Sequence, residues 1–384
     1  MEISKDIKYI GVQDKTLDLF ESQYVIPNGV SYNSYLIKDE KITVMDTVDK
    51  RAGREWMENL KAELNGERPY YLVVSHLEPD HSANIEALVK EYPEVKIILS
   101  KRAYEMLPQF VDSKLLENAL PITEGEEINL GKHNLKFFMA PMVHWPEVMV
   151  TYESLDKILF TADGFGKFGT LDTDEDWACE ARRYYFNIVG KYGAQVQLLL
   201  KKVANLDIKT ICPLHGPILS ENLQYYINKY DIWSKYEPED EGIFIAYNSI
   251  HGNTKKVIEE LEKIMKQEGI EPKACYDLAR ADMAEVIEDA FRYNKMIIAS
   301  PTYDAGLFPD TENFLRHLKH KNFQNRKIAL IENGSWAPMA AKCMKEIISE
   351  MKNVEIIEPI VTVKTRMNEN TIEELTNLVK KMRE

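Results

Sequence analysis

Six consecutive residues, His76-Leu77-Glu78-Pro79-Asp80-His81, constrain this chain more than any others. Four side chains able to bind a metal stand there, directly after the apolar run Tyr71-Leu72-Val73-Val74, which reads as a buried strand. Polar groups bunched at the end of a core strand need partners if they are buried. Alternate side chains of an extended segment point the same way, so His76, Glu78 and Asp80 are expected to converge, with His81 turned to a second point nearby. That arrangement suits two metal ions held side by side. Carboxylates mixed with imidazoles favour iron or manganese more than an all-histidine set would, although zinc also accepts the mixture.

Further ligands are expected downstream. His144 lies in Met142-Val143-His144-Trp145-Pro146, Asp163 follows Ile158-Leu159-Phe160-Thr161-Ala162, and His215 lies in Cys212-Pro213-Leu214-His215-Gly216. Each stands where an apolar strand gives way to a Gly- or Pro-containing loop, the usual place for ligands on a rigid scaffold. Together with the first cluster they supply terminal ligands for two metals and one carboxylate to share. His133, in the turn Gly131-Lys132-His133-Asn134, reads as solvated, as do His317 and His320 on a charged helix.

At 384 residues the chain exceeds the size at which single cores stop growing, so two domains are expected. No apolar stretch reaches the length of a membrane span, and the N-terminus has no apolar signal core. Cys179, Cys212, Cys275 and Cys343 are widely spaced, which predicts no disulfides and a reducing, cytoplasmic setting. A net charge of −14 with no strong basic run argues against nucleic acid as a partner.

The polar stretch 234–242 reads as a linker, dividing the chain into domains at 1–239 and 240–384. Before it, strands are expected at 31–37, 41–45, 71–75, 95–99, 135–140, 148–152 and 157–161, with helices at 51–64 and 84–91. Such a mixture fits an α/β sandwich with sheets inside and helices outside. After it, strands at 242–247, 273–276, 295–299, 327–331 and 354–362 alternate with helices from 254 and at 311–319, 339–352 and 371–382, the last N-capped by Asn370. That alternation predicts a doubly wound parallel sheet.

Three loops of this second domain are candidate ligand contacts. Ser249, Ile250, His251, Gly252, Asn253 and Thr254 join the first strand to the first helix, where hydroxyls and backbone N–H groups make a phosphate cradle. Pro301, Thr302, Tyr303, Asp304, Gly306 and Leu307 follow the third strand. Asn333, Gly334, Ser335 and Trp336 follow the fourth. In open α/β sheets ligands bind outside the carboxyl ends of the strands.

His-x-Glu-x-Asp-His followed by His, Asp and His resembles the flavodiiron proteins over essentially the whole chain. The resemblance implies an N-terminal metallo-β-lactamase-like αββα domain, in which Glu replaces the second His of the zinc-type motif, and a C-terminal flavodoxin-like domain. It implies that His76, Glu78 and His144 bind one iron, that Asp80, His81 and His215 bind the other, and that Asp163 bridges them. Tyr192, in Gly190-Lys191-Tyr192-Gly193, matches a position where the family often places a tyrosine near the irons. In the flavodoxin-like domain, residues 249–254 would hold the FMN phosphate and the loops around Tyr303 and Trp336 its ring, although His251 departs from the commonest phosphate-loop pattern. The activity implied is reduction of O2 to water, of NO to N2O, or of both, with electrons relayed through FMN. No paired Cys-x-x-Cys module is present, so the electrons would come from a separate donor such as rubredoxin or a reductase. The family arrangement is a head-to-tail homodimer or a dimer of dimers. The alternatives are a zinc hydrolase fused to an electron-carrier flavodoxin, against which Glu78 and the flavin domain speak, and a pure carrier whose metal is structural, although structural sites are usually closed and mononuclear.

Overall fold

A computed structural model describes residues 1–383. The chain divides into two compact units, Met1–Asp231 and the remainder from Ile232 onward. The helix Leu223–Ser234 runs across that division, and the first strand after it is Asp240–Tyr247.

In the first unit two sheets face each other. One has six strands in the order Ile7–Tyr9, Tyr35–Ile37, Thr43–Met45, Tyr71–Val74, Lys96–Ser100 and Ala119–Ile122. Its first two pairings are antiparallel and the rest parallel. The other has five strands, Glu127–Asn129, Asn134–Met139, Met149–Glu153, Ile158–Phe160 and Thr210–Cys212. The strand period of two sorts the residues. Tyr35, Ile37, Tyr71, Val73 and Ile98 of one sheet meet Leu135, Phe137, Met149, Ile158 and Phe160 of the other in one core cluster. Each such side chain contributes roughly 1.5–3 kcal/mol by leaving water. The intervening residues Leu36, Val44 and Leu72 are also buried, as they must be where helices cover the outer face. Helix Gly53–Leu64 presents Trp56, Leu60 and Leu64, a four-residue stripe, and helix Ile85–Glu91 presents Ile85, Leu88 and Val89. The expected sandwich is therefore present. The expected strand 31–37 is interrupted: Val30–Tyr32 pairs elsewhere, with Val12–Asp14, and only Tyr35–Ile37 enters the large sheet.

The second unit is a parallel sheet in the order Ala274–Asp277, Asp240–Tyr247, Tyr293–Tyr303, Arg326–Asn333, Val354–Val363. Its chain order is 2-1-3-4-5, the flavodoxin-like winding. Helix Asn253–Gln267 buries Val257, Ile258, Leu261, Ile264 and Met265 in the same cluster as Leu375, Leu378, Val379 and Met382 of helix Glu369–Arg383. That last helix starts at Glu369, two residues earlier than a cap at Asn370 would allow. Asn368 is the cap, accepting from the Thr371 amide at 2.9 Å, while Asn370 lies inside the helix and reaches Glu374. Arg326 is buried and donates to the carbonyls of Phe291, Tyr293, Gln324, Asn325 and Tyr236, fastening the segment after helix Leu223–Ser234 to the strand ends. No described helix is long and apolar enough to cross a membrane.

Candidate metal centre and flavin loops

The strand Tyr71–Val74 ends at Ser75, whose amide donates to the buried Asp46 carboxylate at 2.6 Å. His76 and Glu78 then point to one place, as alternation predicts. Asp80 does not join them. Pro79 starts a one-turn helix, Pro79–Ser82, with its fixed φ suited to the first helical position. The turn carries Asp80 and His81 to a second cluster.

Two groups of donors result. His76, Glu78, His144 and Asp163 form the first, and Asp80, His81 and His215 the second. In the first, His76 Nε2 lies 3.2 Å from Glu78 Oε2, and His144 Nε2 lies 3.1 Å from that oxygen and 3.0 Å from Asp163 Oδ2. In the second, Asp80 Oδ2 lies 3.3 Å from His81 Nε2 and 3.2 Å from His215 Nε2, and the two imidazole nitrogens are 3.0 Å apart. Asp163 Oδ1 faces this second group, 3.3 Å from His81 Nε2, while its Oδ2 faces the first. Ligands about 2.1 Å from a common ion stand about 3.0–3.4 Å apart in octahedral or tetrahedral geometry, which is the spacing found here. His144 Nε2, Asp163 Oδ1 and both Asp80 oxygens are buried without an aligned hydrogen-bond partner. Buried donors this close with no aligned partner of their own are aimed at a shared point, and the residues fit metal ions.

Two outer contacts orient the rings. Glu147 Oε1 sits 2.8 Å from His76 Nδ1 and also accepts the Leu77 amide. The Ser31 carbonyl sits 2.8 Å from His215 Nδ1. Each acceptor fixes the proton on Nδ1 and leaves Nε2 bare for the metal. Asp163 is held in a tight turn, with the Gly164 amide donating to Thr161 and the Gly166 amide to Asp163, and the Leu214 amide donating to Ala162 ties this loop to that of His215. Nothing local in the sequence marks Glu147 or Ser31 as parts of the site.

Tyr192 lies in the short turn Gly190–Tyr192, half-buried, with the Lys191 ammonium 5.9 Å from its ring centre. A second tyrosine, Tyr184, packs directly on one of the imidazoles. Its ring centre is 5.6 Å from that of His215, and Phe20 packs on the same imidazole at 5.3 Å. Burial, then the carboxylates of Asp163, Asp80 and Glu78, hold the Tyr184 hydroxyl well above its ordinary pKa, so it keeps its proton. The helix Trp177–Tyr184 passes into a π-helical stretch, Tyr185–Val189, and wide turns of this kind recur at functional sites. His133, expected in solvent, is fully buried. Its turn packs against Asp39, whose carboxylate accepts the amides of Lys132 and His133 at 2.7 Å each. His320 is exposed and His317 half-buried on their helix.

Without metal the site holds protons. Burial alone would lower the His144 pKa, but the Asp163 and Glu78 carboxylates beside its ring raise it to about 9. Burial would raise Glu78, but His144 and His76 hold it down at about 2. His144 is thus raised above its unfolded value of 6.5. The stability it contributes is complete below that pH and is lost as pH rises through about 9. Metal-free protein should therefore lose melting temperature across this window, whereas metal-loaded protein, whose imidazoles are already deprotonated, should not. Metal uptake near neutral pH should release protons, measurable by titration in buffers of different ionisation enthalpy. A flat profile for the metal-free form would contradict the assignment.

In the second unit the three loops stand at the carboxyl ends of neighbouring parallel strands. Residues 248–252 lead into helix Asn253–Gln267, whose N-cap residue is Gly252; it has φ 84°, and a Cβ there would meet nothing within 4 Å. The Ser249 hydroxyl accepts the Lys255 amide at 3.1 Å. Tyr303 and Gly306 pair across a tight reversal in which Asp304 and Ala305 both have positive φ. Thr302 Oγ1 accepts the amides of Met339 and Ala340, joining the second loop to the third, and Asn333 exchanges two hydrogen bonds with the Thr365 backbone. Trp336 is 93% exposed and Tyr303 45%. Open amides and two uncovered aromatic faces on one sheet edge fit a flat ring system bearing a phosphate.

Comparison with known proteins places this geometry in context. Residues 30–216 match the ODP family beta lactamase model, and residues 244–369 a Flavodoxin domain model. The chain is 28% identical to an anaerobic nitric oxide reductase flavorubredoxin from Vibrio vulnificus, over 88% of this chain and 70% of that one. Among solved structures, rubredoxin oxygen:oxidoreductase from Desulfovibrio gigas superposes with a TM-score of 0.90 at 25% identity, covering 100% of this chain and 97% of that one. A mutant flavo di-iron protein from Thermotoga maritima gives 0.89 at 26% identity, covering 98% of this chain and 96% of that one.

Proposed function

We propose that this chain, which belongs to the flavodiiron protein family, is an oxidoreductase that reduces O2 to water, NO to N2O, or both. The observation that carries this reading is Asp163, whose two oxygens face two separate ligand groups. His76, Glu78 and His144 would hold one iron, Asp80, His81 and His215 the other, and Asp163 both. Residues 249–254 would hold the FMN phosphate, with Tyr303 and Trp336 beside its ring. When bound, the flavin relays electrons singly or in pairs and the irons are where the diatomic oxidant is reduced. The residues of the chain supply orientation and electrostatics. Glu147 and the Ser31 carbonyl fix the imidazoles, Tyr184 presents a neutral hydroxyl beside the second group, and buried aromatic residues exclude water. Electrons would arrive from a separate donor, rubredoxin or a reductase, and the working form would be a head-to-tail homodimer, alone or paired.

Anaerobic stopped-flow tests this. Iron- and FMN-replete protein, chemically reduced, is mixed separately with O2 and with NO. Rapid flavin reoxidation that is lost in His76→Ala supports the reductase, and the ratio of the two rates assigns the preferred oxidant. Reoxidation that is slow, or unchanged in the variant, would sink it.

A further inference from the structure

The hairpin formed by Asn134–Met139 and Met149–Glu153 leads at one end to His144. At its other end, about 17 Å away along the strand at about 3.4 Å per residue, stands His133. The side chains of His133 and Glu153 are wholly buried. His133 Nδ1 lies 3.0 Å from Glu153 Oε1 and Nε2 lies 3.7 Å from Asp6 Oδ2, yet neither ring nitrogen makes an aligned hydrogen bond. That is the signature shown by His144 in the metal centre. Donor atoms of His133, Glu153 and Asp156 all lie within 4.8 Å of one another.

The surrounding charge is one-sided. Glu153 accepts the amides of Leu155 and Asp156 at 2.6 and 2.8 Å, which orders its carboxylate. Asp156 accepts the Ser4 hydroxyl at 2.5 Å, and Asp39 accepts the backbone of the His133 turn. No lysine or arginine among the described residues forms an ion pair with Asp6, Asp39, Glu153 or Asp156. Glu153 is wholly buried and Asp6, Asp39 and Asp156 partly so; even a protonated imidazole leaves three negative charges around one buried carboxylate, an arrangement a cation would offset.

We propose that His133, Glu153 and Asp156 form a third metal site, separate from the diiron centre, that takes a divalent ion of the zinc class. One imidazole and two carboxylates suit Zn2+, with Asp6 or water in the fourth position. The ion joins the N-terminal segment, through Ser4 and Asp6, to the hairpin that carries His144, and is structural.

The test uses FMN- and iron-loaded protein dialysed against buffered Zn2+, with iron and zinc counted separately per chain. One zinc is expected beyond the two irons, with a rise in melting temperature. Asp156→Asn and His133→Gln should each weaken this zinc at least tenfold and abolish the rise, leaving iron content and flavin reoxidation unchanged. Asp156 is half-buried, so its variant keeps the test valid if His133→Gln misfolds. A wild-type chain that takes up no zinc beyond its irons, or a zinc that survives both substitutions, overturns the proposal.

Discussion

Asp163→Ala should leave the chain holding at most one firmly bound iron and slow reoxidation of its reduced flavin by roughly a thousandfold or more. Metal stabilisation of developing charge is worth several kcal/mol, and each 1.36 kcal/mol is about tenfold in rate. The effect is large because Asp163 is the residue common to both donor groups: Oδ2 lies 3.0 Å from His144 Nε2 and Oδ1 3.3 Å from His81 Nε2. It is fully buried, and its loss also removes the carboxylate that faces four imidazoles. The turn carrying it is held by backbone bonds at Gly164 and Gly166, so the fold should survive. Iron content, circular dichroism and stopped-flow on the same sample separate the possibilities. Two tightly held irons with wild-type turnover would refute the bridging assignment.

Arg326→Ala should destabilise the second unit by several kcal/mol without touching the metals. Its guanidinium is buried and donates to five carbonyls. Hydrogen bonds to charged groups contribute roughly 1.5–3 kcal/mol each, against a total domain stability of about 5–15 kcal/mol. Lysine should not restore it, because an ammonium cannot span the same fork of acceptors. Denaturant unfolding followed through flavin fluorescence, in parallel with iron content, reads this directly. A midpoint within the error of wild type would show the cluster to be energetically idle.

What the sequence discloses here depends on the range of the cause. All seven candidate ligands are legible because they are costly residue types at the ends of apolar strands, and the structure gathers them into two groups able to hold metal ions. The alternation of the second unit is legible because strand and helix periods differ. The grouping of Asp80 is not given by alternation, although Pro79 at a first helical position is a local signal that the extended segment stops there. Glu147 reaches His76 across 71 positions and Ser31 reaches His215 across 184. No periodicity reports such pairs. The same holds for His133, buried by Asp6 and Asp39 from a distant part of the chain. The packing of Tyr184 on His215 is likewise set by contacts between distant parts of the chain.

The order of the ligands along the chain also has a consequence for biosynthesis. His76 is made first and His215 last, 139 residues later (215 − 76). At about 5–20 residues per second, a ribosome takes roughly 7–28 s to cover that interval. The first donor group is complete only at Asp163, 87 residues after His76 (163 − 76), and the second only at His215. Completion of the two-metal site therefore follows translation of almost the whole first unit, and a cell short of iron would release finished, empty chains open to whichever divalent ion arrives first.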